Sequence, residues 1–233
     1  MDIRNSVALV TGANRGIGLA FTQALLKRGA KKVYAAVRDP SRVNLANVYP
    51  IPLDVTHVDQ VNQAAAQALD ATLIINNAGI AQPGGFLLED SVEVSRRIFE
   101  TNFYGVLHMC KAFAPILKQN GGGAIINVLS VASWVNDGNL AAYAASKSAA
   151  WSLTNSLRHE LSAQGTQVLA LHMGYVDTDL TRDFDIPKSS STDIVTRALN
   201  GLEANLDEVL ADDITQYVKQ GLNTENPVYL PQK

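Results

Sequence analysis

The sequence predicts a single doubly wound α/β domain, a mostly parallel sheet with helices on both faces. Three observations carry this. Short apolar runs alternate with helical patterns along the chain, with no long linker and no internal repeat. The first apolar run leads into a glycine-rich turn that opens a helix. Residues suited to ligand chemistry follow one predicted strand after another, and in such sheets that places them along one edge, outside the carboxyl ends of the strands.

Composition agrees. The chain has 233 residues, 47% hydrophobic and 18% charged, enough apolar material for one sizeable core. A net charge of −3 gives no electrostatic case for nucleic acid or an anionic membrane. Cys110 is the only cysteine, so no intramolecular disulfide forms and a reducing compartment is expected. No apolar run approaches a membrane span, and Met1 to Asn5 leads straight into a strand-like segment. A cytoplasmic protein is expected, with no membrane or nucleic-acid partner. His57, His108, His159 and His172 are scattered without metal-ligand spacing, so no metal site is predicted.

Each element can be justified in order. Ser6 to Val10 reads as a buried parallel strand. Thr11-Gly12-Ala13-Asn14-Arg15-Gly16-Ile17-Gly18 follows, then a helical pattern from Leu19 to Arg28. The glycines allow a tight turn and close approach of a phosphate, and the helix start offers free N–H groups. Lys32 to Val37 is the second strand, with Arg38 just past its end. Enzymes that use NAD often carry an acidic residue there for the ribose 2′-hydroxyl. Here the residue is basic, as is Arg15 inside the turn, and two guanidinium groups suit a 2′-phosphate. This favours NADP(H) over NAD(H). Asp39 opposes it if its carboxylate turns inward.

Val48 to Leu53 is a proline-interrupted third strand ending at Asp54-Val55, where Asp54 is suited to accept a hydrogen bond from an adenine amino group. Val58 to Leu69 is helical. Ala71 to Ile75 is the fourth strand and runs into Asn76-Asn77-Ala78-Gly79, small enough to let a flat ring or ribose lie on the backbone. Ser91 to Leu117 reads as a long helix interrupted near Tyr104-Gly105. Asn102, just before the interruption, satisfies a local kink, holds a relay water, or does both.

Ala124 to Leu129 is an apolar strand that delivers Ser130, and Ala141 to Leu161 is a long helix. Thr166 to His172 is the sixth strand. Met173 to Asp193 is loop-like, and residues 178–193 are the expected substrate lid. Ile194 to Asn205 is helical, Glu208 to Ala211 is a short last strand, and the tail from Asp212 carries no assigned element.

The chemistry centres on Asn127 to Lys147. Tyr143 and Lys147 stand at i and i+4, one turn apart on one helix face. A free phenol has a pKa of about 10, and a nearby ammonium lowers it towards the range useful for proton transfer. The Ser130 hydroxyl can donate to a carbonyl oxygen while Tyr143 supplies the proton.

These motifs together resemble the short-chain dehydrogenase/reductase family, the compact single-domain kind with a Rossmann-type sheet: Thr11-Gly12-x-x-x-Gly16-x-Gly18, Asn76-Asn77-Ala78-Gly79, Asn102, Ser130 and Tyr143-x-x-x-Lys147. The resemblance covers the chain to about Thr178. It implies Tyr143 as general acid/base, Ser130 as carbonyl-polarising donor, Lys147 as partner of both Tyr143 and the nicotinamide ribose, and Asn102 as part of a proton relay through a water. It implies a cofactor site drawn from Gly12, Asn14, Arg15, Gly16, Ile17, Gly18, Arg38, Asp54, Val55, Asn77, Ala78, Gly79, Tyr143, Lys147, Gly174, Val176 and Thr178. The chain departs from the family at Met173-Gly174, where Pro-Gly is usual, and at its C-terminal end, where Glu208 to Asp213 replaces a glycine-rich ending. The implied assembly is a homodimer or homotetramer. The implied activity is NADPH-dependent reduction of a ketone or aldehyde, as in a carbonyl reductase. Ile80 to Phe86, Trp134, Asn139, Met173, Tyr175 and the lid point to a moderately apolar substrate. The alternative is a non-catalytic dinucleotide sensor of the same fold, which has no use for Asn102, Ser130, Tyr143 and Lys147 together.

Overall fold

The structure, a computed structural model, describes residues 1–230. Seven strands form one parallel sheet: β1 (Val7–Thr11), β2 (Lys32–Val37), β3 (Val48–Pro52), β4 (Leu73–Asn76), β5 (Ala124–Val128), β6 (Gln167–His172) and β7 (Glu208–Leu210). They lie in the order β3-β2-β1-β4-β5-β6-β7. The chain winds outward from β1 in one direction, then returns to start the other half at β4. The crevice between the carboxyl ends of β1 and β4 is therefore the topological switch point, where ligands of open α/β sheets bind.

The helices are α1 (Gly16–Lys27), α2 (Val58–Gln67), α3 (Ser91–Phe99), α4 (Gly105–Gln119), α5 (Ala141–Glu160), α6 (Ser191–Glu203) and α7 (Asp213–Gly221). The alternation of side chains along each strand splits the core in two. Ala8 and Val10 of β1 pack with Phe21 and Leu25 of α1 and with Ile194, Ala198 and Leu202 of α6. Val7 and Leu9 face the other way, towards Val61 of α2, Met109 and Phe113 of α4 and Leu157 of α5. Both faces of the central strands are covered, which is why they read as continuous apolar runs rather than alternating ones. Among the described residues no helix is long and apolar enough to cross a membrane.

Polar residues inside the sheet are linked to one another, although Asn76 Oδ1 has no hydrogen-bond partner. Asn76 Nδ2 donates to Asn127 Oδ1 at 2.8 Å, and Asn127 Nδ2 donates to Thr154 Oγ1 at 2.9 Å, joining β4, β5 and α5. Asn76 Nδ2 also lies 3.4 Å from Cys110 Sγ. Burial pushes the Cys110 thiol up to about 12.

Three expectations are corrected. The helix read from Ser91 to Leu117 breaks earlier than at Tyr104-Gly105: a π-helical turn spans Glu100–Tyr104, and Asn102 lies inside it. The wide turn re-aims one side chain inward without ending the helix. The tail from Asp212 begins with a helix, α7. Asp212 caps it, accepting from Thr215 N at 3.0 Å while the Thr215 side chain reaches back to Asp212 N at 3.3 Å. That reciprocal cap is visible in the sequence as Asp-x-x-Thr. The loop before α6 is also shorter than expected, because α6 starts at Ser191 under a Ser190 cap.

Candidate active site

A cavity of about 960 Å³ opens along the carboxyl edge of the sheet. The glycine turn, Arg38, Asp54, Val55, Asn77 to Gly79, Ser130, Tyr143, Lys147, Gly174, Val176 and Thr178 all line it. The convergence expected from the strand order therefore holds. Asn14 and Ile17 line it as well, while Gly18 lies beneath the turn. There a Cβ would stand 2.2 Å from the Gly12 carbonyl oxygen, so only glycine lets α1 start this close to β1. Gly12 itself has φ +66°, the left-handed region.

Thr11 staples the glycine turn to the Asn76–Gly79 segment. Its Oγ1 accepts from Asn77 N at 3.0 Å and Ala78 N at 2.9 Å, while Asn77 Nδ2 donates to Thr11 O at 2.9 Å. Sequence reasoning named the glycines and passed over this hydroxyl, which holds the two halves of the switch point at a fixed spacing.

At the inner end, Ser130 sits just beyond β5 and Tyr143 and Lys147 on the first turns of α5. Ser130 acts on the Tyr143 hydroxyl as a hydrogen-bonding neighbour that favours the phenolate. Ser130 Oγ also accepts from Ala132 N at 3.1 Å, which fixes its rotamer. Lys147 Nζ donates to Val128 O at 2.7 Å and stands 5.7 Å from the centre of the Tyr143 ring. The lysine is buried, and burial lowers its ammonium to about 8. The expectation that Lys147 pulls Tyr143 down is corrected. Burial dominates and raises the phenol, with the Ser130 hydrogen bond acting in the opposite direction. In the ligand-free protein the phenol is therefore held in its protonated form.

Asn102 is fully engaged. Its Oδ1 accepts from Ile80 N at 2.9 Å, and its Nδ2 donates to Ile80 O at 2.9 Å and Ser146 Oγ at 3.0 Å. Ser146 Oγ in turn donates to Tyr143 O at 2.7 Å. The side chain thus ties the π turn to the segment after Gly79 and to the Tyr143 turn of α5. A Cβ at Gly79 would lie 3.3 Å from Asn102 Oδ1 and 3.7 Å from Lys147 Nζ, so the three groups meet at one point.

The outer end is basic. Arg38 is exposed at the end of β2, and Arg42, in the one-turn helix Pro40–Arg42, lines the same cavity. Sequence reading missed Arg42, although Asp39-Pro40-Ser41-Arg42 carries the signature of a capped turn. Asp39 is that cap: its Oδ1 accepts from Ser41 N at 3.1 Å and Ser41 Oγ at 2.6 Å. Arg15 reaches across to Asp179, Nη1 to Oδ2 at 3.1 Å. Asp54 Oδ1 accepts from Thr56 N at 3.0 Å and Thr56 Oγ1 at 2.8 Å. Burial works against its charge, yet these bonds, with His57 and Arg38 nearby, leave the carboxyl below its ordinary value.

Gly174 follows β6 at the cavity floor. Its N–H donates to Asp212 Oδ2 at 2.7 Å, and a Cβ there would stand 2.3 Å from Ile214 Cγ2. The floor is thus pinned to the cap of α7, a partner that sequence reading did not supply. Trp134, expected at the substrate pocket or in the core, stacks on the buried His172 ring at 4.0 Å. Tyr175 packs against Phe184 of the 178–193 segment at 5.4 Å. Among the described residues no cluster of three or more His, Cys, Asp or Glu side chains could hold a metal ion.

Comparison with known proteins gives the same picture. Residues 6–188 match the family model for the short chain dehydrogenases. A probable oxidoreductase, EphD of Mycobacterium tuberculosis (strain ATCC 25618 / H37Rv), is 30% identical over 96% of this chain, which spans 40% of that protein's length. A short chain dehydrogenase from Burkholderia cenocepacia J2315, solved in complex with NADP, superposes with a TM-score of 0.93 at 41% identity, covering 97% of this chain and 95% of the other. A short chain dehydrogenase/reductase from Burkholderia phymatum in complex with NAD gives a TM-score of 0.84 at 25% identity over 100% and 99% of the two chains. With the glycine turn, the Asn76–Gly79 segment and the Ser130–Tyr143–Lys147 group gathered in one cavity, this chain belongs to the short-chain dehydrogenase/reductase family of oxidoreductases.

Proposed function

We propose that the protein is an NADPH-dependent oxidoreductase that reduces a ketone or aldehyde to an alcohol, with Tyr143 as the general acid. The observation that carries this reading is the convergence of Ser130, Tyr143 and a buried Lys147 at the inner end of a dinucleotide-sized cavity. The cavity suits such a cofactor because its wall is made where side chains are excluded. A Cβ at Gly12 would meet Asn77 Nδ2 at 3.1 Å, and one at Gly16 would meet Thr178 Cγ2 at 3.2 Å. Arg15, Arg38 and Arg42 bring three guanidinium groups towards the outer end, and Asp39 is occupied by its own turn, which favours the 2′-phosphorylated form. The B. cenocepacia relative, solved with NADP, points the same way.

A bound nicotinamide cofactor supplies the hydride that reduces the carbonyl carbon. Negative charge then grows on the carbonyl oxygen. Ser130 and Tyr143 present two hydroxyl donors to one point, and losing one such donor commonly costs about 10²–10³ in rate. The raised phenol enters as a proton carrier and gives its proton to the oxygen. Lys147 holds positive charge beside the phenolate that results, and is suited to the ribose hydroxyls as well. Asn102, tied to Ile80 and Ser146, completes the proton relay through a water, for which its Oδ1 keeps a second lone pair.

The test follows NADPH absorbance, with NADH in parallel, against ketones, keto esters and aldehydes. Oxidation of NADPH, much faster than of NADH, is the expected result. Tight NADPH binding with no turnover on any carbonyl would favour the sensor reading instead.

A further inference from the structure

Behind Ser130, on the side away from the cavity, lies a polar group that the proposed chemistry does not use. His172, the last residue of β6, is fully buried. Its Nδ1 lies 3.1 Å from the Ser130 carbonyl oxygen. That oxygen only accepts, so Nδ1 carries the hydrogen. The same oxygen also receives Ser133 N at 3.0 Å, filling its second lone pair. On the far side of the ring, Nε2 faces Glu208 Oε1 of β7 at 3.4 Å. Glu208 is bound in turn by Lys219 of α7, at 3.1 Å to Oε1 and 2.9 Å to Oε2. Trp134 covers the imidazole at 4.0 Å with the planes 23° apart, and Lys219 stands 4.7 Å over the same indole. The ring is held at Nδ1 and over one face, while Nε2, 3.4 Å from Glu208, makes no hydrogen bond, so its one polar contact is with Ser130.

We propose that His172 is a positioning residue for Ser130. Its Nδ1–H fixes the backbone of the serine so that Oγ aims at the point shared with Tyr143, and the stacked Trp134 indole fixes the imidazole plane. The inference rests on the role given to Ser130 under Proposed function. Misplacing a reacting group by about 1 Å can cost as much as 10²-fold in rate, and here the strand ladder limits the slip. Leu129 N donates to Leu171 O and Val131 N to Met173 O, each at 2.8 Å. The expected loss is therefore about tenfold, in kcat alone.

Two conservative variants separate the contacts. Asparagine carries its NH₂ where histidine has Nδ1, whereas glutamine carries it where histidine has Nε2. With saturating NADPH and a carbonyl that the wild type reduces, His172→Gln and His172→Leu should lose about tenfold in kcat with the NADPH KM unchanged. His172→Asn should recover to within about threefold of wild type. Equal kcat losses in the Asn and Gln variants, in step with their melting temperatures, would mean that the histidine is structural only. Ser130→Ala is run beside them. If that variant keeps full turnover, the role of Ser130 itself is wrong, a different failure from the first.

A readout without substrate uses the phenolate absorbance of Tyr143, taken as each protein minus its Tyr143→Phe counterpart. Ser130 lowers the Tyr143 pKa through their hydrogen bond, so His172→Gln should shift that titration to higher pH and His172→Asn should not. No difference between the two variants would overturn the proposal.

Discussion

The two ends of the cavity are built in opposite ways. At the inner end Ser130 and Lys147 are 7% and 6% exposed, and three of the polar groups have a contact that fixes them: Ala132 N for Ser130, Val128 O for Lys147, and Ile80 and Ser146 for Asn102. At the outer end Arg38 is exposed, and the Arg15 side chain, 63% accessible, is tied only to another exposed side chain. Buried groups act through desolvation and fixed geometry. Exposed charges act through a screened field that tolerates displacement. The chemistry should therefore fail sharply when the inner end is altered, while recognition at the outer end should weaken by degrees and with salt.

The sharpest break is Tyr143→Phe. It removes the proton donor and keeps the packing, so kcat should fall by about 10³-fold with NADPH affinity unchanged, as measured by turnover and fluorescence titration. Substantial residual turnover would place the acid elsewhere.

Lys147 tests burial directly. Its ammonium is held at about 8 against an ordinary 10.5. From pH 8 to 10.5 the unfolded chain keeps a proton that the folded chain has released, so this group makes ligand-free stability rise with pH. A shift of this size corresponds to about 3 kcal/mol. The tyrosines Tyr34, Tyr143 and Tyr175, all raised, oppose it above pH ~10. The urea midpoint of wild type should therefore rise relative to that of Lys147→Met between pH 8 and 10. A flat difference would contradict the desolvated lysine.

The outer end should respond more gently. Arg38→Ala with Arg42→Ala should weaken NADPH by about ten- to hundredfold at low salt, less at high salt, and leave NADH nearly unaffected. Equal losses for both cofactors would remove the argument for the 2′-phosphate. The smallest effect is expected at Asp179. Asp179→Ala frees Arg15 from an exposed pair, so NADPH should bind better by a few-fold at most.

The same contrast explains what could be read from the sequence. The proposed catalytic group was legible because Tyr143 and Lys147 are local, one turn apart on a helix, and because Ser130 ends an apolar strand. The shared edge of the site was legible through the placement of candidate residues after successive strands. What stayed hidden depends on tertiary contacts between distant segments. Asp212 reaches Gly174 from 38 positions away, and Thr11 reaches Asn77 across 66. Trp134 was undecidable because its partner, His172, comes from a different strand. The direction of the Tyr143 shift was misread for the same reason. Sequence spacing shows the lysine, and only packing shows the burial that outweighs it.

Cys110 gives the fold a gauge of its own opening. It is the one cysteine in the chain, buried against Asn76, with its thiol raised to about 12. Reagents attack the thiolate, so in the closed molecule the sulfhydryl is protected twice, by access and by protonation. Alkylation must wait until α4 lifts from the sheet. Its rate at low reagent concentration therefore measures the free energy of that local opening, and cofactor added to the protein should slow the labelling in proportion to how far binding at the sheet edge steadies the core beneath it.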